Sequence, residues 1–279
     1  MWYESQMIRE TLDSLSQALQ QTKEEVKLIF CLNSQTYIEK PNIGRPEDMF
    51  ELFIDHPILK SSELVYKTDN DPFYNIGDWR RDIYSDEYKY TCWGESDCLI
   101  PNNYFSVLET VNIKDPHILS FASRKCWDRY WYYCEHFTLK DLEPVDIHRP
   151  EYQEELIPLR FFDQITQEQL DEFNNKFTEI VAARMPFNQV DGALLALSAN
   201  LPKPFIPDDM HFAREDLCAS LFFSKKNIQQ FCIITHIKGH NYNHPLKRMN
   251  TNNTRSDDIY QEYVRESEKA MNRFLLTVT

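Results

Sequence analysis

Apolar residues recur along the first part of the chain with two periods, one typical of helices and the other of buried strands. Residues 6–21 carry apolar side chains about three and four positions apart, which predicts an amphipathic helix. Residues 26–32, 64–68 and 88–94 are short β-rich runs next to polar loops, and they predict strands. A second helix is predicted over residues 77–83, between the last two strands.

The second half of the chain contains further helical and apolar segments. Residues 163–185 predict a helix, residues 190–198 form an apolar run, and residues 256–276 predict a charged amphipathic helix. Helices that alternate with buried strands are typical of α/β layer structures with parallel strands. We therefore expect an α/β fold with a mostly parallel central sheet and a mainly helical, aromatic-rich insertion at residues 112–189.

The composition argues against several classes of protein. The chain has 279 residues, of which 42 % are hydrophobic and 14 % aromatic, so it can bury a sizeable core. It contains five glycines and neither a GxGxxG nor a GxxxxGK[ST] motif, which argues against a Rossmann dehydrogenase and a P-loop NTPase. The apolar runs are far shorter than a membrane span.

The net charge and the spacing of the cysteines indicate which partners and which compartment to expect. The formal net charge is −14 and the pI is about 5.0, which disfavours broad non-specific binding to DNA phosphates. The seven cysteines include no CxxC pair, a pattern typical of free thiols in a reducing compartment. We therefore expect a cytoplasmic protein.

Two carboxylates separated by one serine directly follow the strand predicted at residues 88–94. Glu95 and Asp97 would lie at the carboxyl end of that strand, where open α/β sheets bind ligands. They form either a solvated turn or a site for Mn²⁺ or Mg²⁺, which prefer carboxylate oxygens. His236 and His240 are spaced by four, but nearby glycine, asparagine and proline disfavour a helix. Each histidine is therefore a surface or structural residue, or a single metal ligand.

Two pairs of charged residues also have alternative interpretations. Arg80 and Arg81 follow the segment NIGD, where they form surface salt bridges or a fork for a diphosphate. Glu215 and Asp216 lie in the segment AREDL. They are either the acidic start of a helix, favoured by the helix dipole, or a general base presented at that start.

Six segments of the chain occur in an order that resembles a known enzyme family. The segments are MWYESQMIRETLDSL, VKLIFCLNSQT, NIGDWRRDIY, YTCWGESDCLIP, AREDLCAS and ITHIKGH. Their order resembles that of the GT-A nucleotide-sugar glycosyltransferases, especially family 2-like members. There they correspond to the first helix, the second strand and its loop, and the segment against the nucleotide diphosphate. The last three correspond to the Asp-x-Asp motif, the catalytic-base motif and a strand end that often supplies a third metal ligand.

The resemblance implies a GT-A type α/β/α sandwich that forms one catalytic domain over residues 1–279. Within it, residues 1–111 would be the nucleotide-sugar-binding half, 112–189 the aromatic and helical insertion, 190–255 the acceptor and catalytic half, and 256–279 a C-terminal helix. The implied activity is metal-dependent and inverting. It transfers a hexosyl or pentosyl group from a nucleotide sugar, in the first place a UDP-sugar, to an acceptor hydroxyl.

The resemblance also implies a role for each candidate residue. Asp216, with Glu215 beside it, would be the catalytic base. Asp97, His236 and His240 would bind Mn²⁺ or Mg²⁺. The nucleotide-sugar donor would be bound by the following residues: Tyr3, Asn33, Arg80, Arg81, Trp93, Glu95 and Ser96.

The acceptor and the presence of catalysis are left open by the sequence. The acceptor is a glycan or a hydroxymethylated base of phage DNA, and in the second case the setting would be the host cytoplasm. Residues 127–132 form an aromatic acceptor wall or a core patch, and residues 244–255 a basic strip facing a duplex or a solvated loop. Glu95 stands where the family has aspartate, and the family's first strand has no counterpart before Trp2. The alternative is therefore an inactive GT-A-like binding or scaffold protein.

Overall fold

The computed structural model of the chain describes residues 5–33, 55–67, 76–124, 166–184, 192–240 and 258–278. The helices in these ranges are α1 (Ser5–Gln21), α2 (Pro57–Lys60), α3 (Ile76–Asp82), α4 (Tyr104–Thr110), α5 (Gln167–Asn174), α6 (Glu215–Lys225) and α7 (Asp258–Thr277). The strands are β1 (Ile29–Asn33), β2 (Glu63–Lys67), β3 (Tyr90–Gly94), β4 (Cys98–Leu99), β5 (His117–Arg124), β6 (Ala182–Arg184), β7 (Leu194–Ser198) and β8 (Gln229–His240).

The described strands form one main sheet and one small sheet. The main sheet has six strands in the order β3-β7-β5-β8-β4, with β6 also paired to β8, while β1 and β2 form a parallel pair. Within the main sheet only β5 and β8 are parallel, and the other described pairings are antiparallel. The predicted mostly parallel sheet is therefore wrong. Alternation of helices and strands does not fix strand direction, and the late strand β7 inserts between β3 and β5.

Alternate residues of the central strands β5 and β7 face two separate cores. One core contains Ile118, Leu195, Leu197, Phe222, Phe223 and Ala270, from β5, β7, α6 and α7. The other contains Leu119, Leu194, Ala196, Tyr104, Val107 and Ala18, from β5, β7, α4 and α1. Because successive side chains of a strand point to opposite faces, helices cover both faces of the main sheet. A mixed α/β fold with flanking helices is thus confirmed.

Most predicted elements lie close to their observed positions, but the segment expected to be a mainly helical insertion, residues 112–189, contributes the strands β5 and β6 to the main sheet. The helices predicted at residues 6–21 and 256–276 correspond to α1 and α7. The helix predicted at residues 163–185 is wrong in its second half, since α5 ends at Asn174 and β6 follows at Ala182–Arg184. Strand β6 pairs with β8, so tertiary strand pairing overrides the helical pattern there.

The described cysteines and helices agree with two simpler expectations. Cys31, Cys92, Cys98, Cys218 and Cys232 are free thiols, as predicted for cysteines without paired spacing. In the part of the chain that the structure describes, no helix has the length and apolar character needed to cross a bilayer.

Helix α3 docks on the loop that leads into α6. The backbone N–H of Gly77 donates to the carbonyl of His211 at 2.8 Å, and Arg81 donates to the carbonyl of Pro207 at 3.0 Å. Buried Asp78 pairs with Arg81 at 2.6 Å and lies 3.0 Å from Nδ1 of His211. These contacts hold both ends of α3 against the loop before α6.

Replacing Gly77 by alanine is expected to destabilise the protein. A Cβ atom at this position would clash with the carbonyl oxygen of Met210, a backbone atom that cannot rotate away. We expect the free energy of unfolding to fall by about 1–3 kcal/mol, the usual cost of overpacking. Urea titration followed by far-UV circular dichroism measures this change.

Gly94 provides the matched control for that substitution. A Cβ atom built on Gly94 meets nothing within 4 Å, so Gly94→Ala is expected to leave the unfolding midpoint nearly unchanged. Equal midpoints for Gly77→Ala and the wild type would show that α3 does not depend on this close approach.

Candidate functional site

The candidate site is built around the guanidinium of Arg80, in the last turn of α3. Arg80 is 3 % exposed. Its Nη2 lies 2.8 Å from Oε1 of Glu95 and donates to the carbonyl of Gly192 at 3.0 Å, and its Nη1 pairs closely with Oε1 of Glu215. One buried side chain therefore connects α3 to the turn after β3, to Gly192 just before β7, and to the start of α6.

The position of this guanidinium is supported by a tryptophan on β3. The guanidinium carbon of Arg80 lies 5.0 Å from the ring centroid of Trp93, within the range of a cation–π contact. Trp93 is fully buried and packs against Phe205 at a centroid distance of 6.1 Å. Strand β3 therefore places an apolar support beneath Arg80 and, two residues beyond Trp93, the carboxylate of Glu95 beside it.

The start of α6 presents the second pair of carboxylates. Ala213 and Arg214 precede it with φ angles of 63° and 62°, in the left-handed region that costs non-glycine residues about 1–2 kcal/mol each. This bend turns the chain into Glu215 and Asp216, which form the acidic first turn of the helix. Carboxylates are favoured at that position by the helix dipole, and Asp216 Oδ1 accepts from the N–H of Leu217 at 2.7 Å.

Gly192 is a part of the site that the sequence argument missed. A Cβ atom at this position would lie 2.7 Å from Nη1 of Arg80 and 2.9 Å from Oδ2 of Asp216. Only glycine therefore lets the backbone pass between the guanidinium and the carboxylate without displacing one of them. The available signal was a glycine directly before a buried apolar strand, in the segment VDGALLALS.

Three carboxylates surround a single guanidinium, so the site carries an excess of negative charge. Burial raises the pKa of Glu215 to about 7; the positive charge of Arg80 opposes this rise, and the negative charges of Asp216 and Glu95 add to it. Burial lowers the pKa of Arg80, but the same three carboxylates outweigh burial and raise it. Arg80 is therefore charged, and burial makes Glu215 easier to protonate than an exposed glutamate.

Of the predicted metal ligands, His236 and His240 lie on β8, and Asp97 lies in the turn before the neighbouring strand β4. Asp97 is 1 % exposed and precedes β4, where Cys98 pairs with His240 of β8. His236 lies in a bulge of β8, where Nδ1 is 3.0 Å from Oγ1 of Thr235, and burial lowers the pKa of His236 to about 4. Within the described ranges, no group of three or more His, Cys, Asp or Glu residues could hold a metal ion.

The other predicted donor-binding residues occupy different environments. Trp93 belongs to the core instead of an open surface, and Arg81 faces Asp78 and the loop before α6. Ser96 is half-buried, and its carbonyl accepts from Oγ1 of Thr11 on α1 at 2.8 Å. Asn33 ends β1 in the small parallel sheet. Tyr3, the aromatic residues 127–132 and the basic strip 244–255 lie outside the described residues.

Comparison of the chain with protein-family models, with curated proteins and with solved structures gives no significant match.

Proposed function

We propose that the chain is a nucleotide-sugar-dependent glycosyltransferase of the GT-A type. One observation carries the proposal. Arg80 and Glu95 come from two segments that the resemblance assigns to the donor site, Glu215 comes from the segment that it assigns to the catalytic base, and Arg80 forms direct ion pairs with both glutamates. Asp216, the predicted base, lies beside the same guanidinium across Gly192. Chance matches to short motifs would not be expected to converge on one buried charge.

The proposed reaction is a single displacement at the anomeric carbon of the donor sugar. An acceptor hydroxyl oxygen forms the new glycosidic bond while the bond to the diphosphate breaks, and the electron pair of that bond leaves with the diphosphate. The acceptor proton passes to a carboxylate oxygen of Asp216, which is half-buried at the start of α6. Arg81, whose side chain is 20 % exposed while that of Arg80 is 4 % exposed, is the more accessible candidate for contact with the diphosphate. The acceptor is a glycan or a modified DNA base.

A second candidate function is a binding protein that holds a nucleotide sugar without transferring it. Two observations favour this alternative. Asp97 is 1 % exposed, and the guanidinium of Arg80 already has carboxylate partners on both terminal nitrogens. Charges that are buried or already paired in this way are less free to act on a reacting group.

A thermal-shift panel of nucleotide sugars tests the proposal, with each donor measured in the presence and absence of Mn²⁺. A ligand that binds the folded state alone raises the melting temperature by mass action, and at one hundred times Kd the stabilisation is about 2.7 kcal/mol. We expect one nucleotide sugar to raise the melting temperature more than its nucleoside diphosphate does. The Mn²⁺ arm tests the metal dependence predicted from the sequence.

The same donor then separates the two candidate functions. Slow release of free sugar without any acceptor, followed by mass spectrometry, supports a transferase, whereas binding without release supports the binding protein. No shift with any donor, in protein shown to be folded by circular dichroism, would contradict both.

A further inference from the structure

The guanidinium of Arg80 has partners at both terminal nitrogens and on one face. Nη1 faces Glu215, Nη2 faces Glu95 and the carbonyl of Gly192, and the guanidinium lies over the ring of Trp93. Its side chain is 4 % exposed, while that of Glu95 is 28 % exposed. The solvent-facing part of this cluster is therefore formed by carboxylates, and the cation lies behind them.

We infer that Arg80 is a positioning residue of the proposed site: it holds Glu95 and Glu215 in place and so leaves Asp216 as the carboxylate that meets the acceptor. This inference rests on the proposed glycosyltransferase function and replaces the predicted role of Arg80 as a diphosphate ligand. For direct contact with a diphosphate, Arg80 would have to give up Glu95 or Glu215, which would leave a carboxylate beside an incoming anion.

The charges around Arg80 explain why such a residue is needed. Without the guanidinium, Glu95, Glu215 and Asp216 would repel one another within a small volume, and Glu215 would be a buried carboxylate without its cation. The planar guanidinium can bind two carboxylates at fixed angles, which the single ammonium of a lysine cannot do. Arg80 also connects α3 to α6, the helix that carries Asp216.

The protonation of Glu215 gives a readout of its pairing with Arg80 that a simple loss of packing would not move. The titratable groups facing Glu215 are Arg80 from α3, Glu95 from the turn after β3, and Asp216 and Cys218 from its own helix. Its pKa in the folded protein is raised from 4.5 to about 7. The stability that this group contributes is therefore fully present below pH 4.5 and is lost as the pH rises through 7.

The experiment compares Arg80→Lys, Arg80→Met and Glu215→Gln with the wild type, using urea unfolding between pH 4 and pH 9. The pH range over which the stability contributed by Glu215 is lost is called the pH window here. An opposite charge nearby shifts a carboxyl pKa by about 1–3 units, so Arg80→Met is expected to move the upper end of this window upward by roughly 1–3 pH units. Glu215→Gln is expected to remove the window. Arg273→Met, which breaks an exposed ion pair with Asp209, is the control that should leave the window unchanged.

Donor kinetics provide the second readout. For a positioning residue, Arg80→Lys should lower kcat by roughly 10²-fold while the donor KM changes by less than about twofold. A raised donor KM at unchanged kcat would assign Arg80 to the diphosphate and overturn the inference. So would an Arg80→Met protein whose stability falls equally at every pH, since that result describes a structural role alone.

Two further outcomes are separated by the same measurements. If Arg80→Met does not fold, Glu95→Gln gives the readout in the other direction: removing a neighbouring negative charge should move the window downward, and an unmoved window would overturn the inference. If the wild-type protein uses no donor, the proposed function fails, and the pH window is then the only test of the role of Arg80. A moved window then still supports Arg80 as the residue that organises these carboxylates.

Discussion

Turnover is expected to fall by roughly 10²- to 10⁴-fold when Asp216 is replaced by asparagine, the usual contribution of a general base. The amide is nearly isosteric with the carboxylate but cannot take the proton from the acceptor hydroxyl. Asp216 Oδ1 accepts from the N–H of Leu217, and an amide oxygen can accept in the same way, so the start of α6 should keep its shape. Steady-state kinetics with the donor found by thermal shift measure the loss.

Donor binding provides the internal check on that experiment. Because the predicted base acts on the acceptor, the melting-temperature shift caused by the donor should be nearly the same in Asp216→Asn and in the wild type. Asp115→Asn is a matched control, since Asp115 is exposed in the loop before β5. Loss of donor binding in parallel with turnover would instead place Asp216 in the donor site and contradict its assignment as the base.

The positions of individual helices and strands could be predicted because the burial of each one is visible in the spacing of its own apolar residues. Helix α1 buries Ile8 and Leu12 on one side, and this four-residue spacing is visible in the sequence. Strand β7 is buried along its whole length and is a continuous apolar run. The antiparallel directions in the main sheet could not be predicted, because they depend on which distant strand pairs with which. Tyr90 of β3, for example, pairs with Ser198 of β7.

The charged members of the candidate site could be named from the sequence, but their arrangement could not. Arg80, Glu95 and Glu215 are charged residues at the ends of predicted elements, where functional side chains often lie. Arg80 and Glu215 are 135 positions apart, so nothing local records that they form an ion pair. Gly192 was missed for the same reason: its close approach to Arg80 exists only in the folded chain.

Replacing Trp93 by alanine is expected to lower the free energy of unfolding by about 3–5 kcal/mol, the usual cost of removing a large core side chain. For a protein of this size, the melting temperature should fall by roughly 6–20 °C. Trp93 is 1 % exposed, packs against Phe205 and supports the guanidinium of Arg80. Urea and thermal unfolding measure the loss. Tyr88→Ala, at a 37 % exposed aromatic just before β3, should change stability by less than about 0.5 kcal/mol.

Trp93→Ala also distinguishes two roles for this tryptophan. As a donor-binding residue, which the resemblance implied, Trp93 would contact the nucleotide, and its removal would abolish the donor-induced shift without a large loss of stability. If Trp93 is a core residue, its removal would lower the stability, while the Trp93→Ala protein that is still folded at low temperature would bind the donor. The burial of Trp93 beneath Arg80 favours the second result. A stable Trp93→Ala protein that no longer binds the donor would show that the indole reaches the ligand.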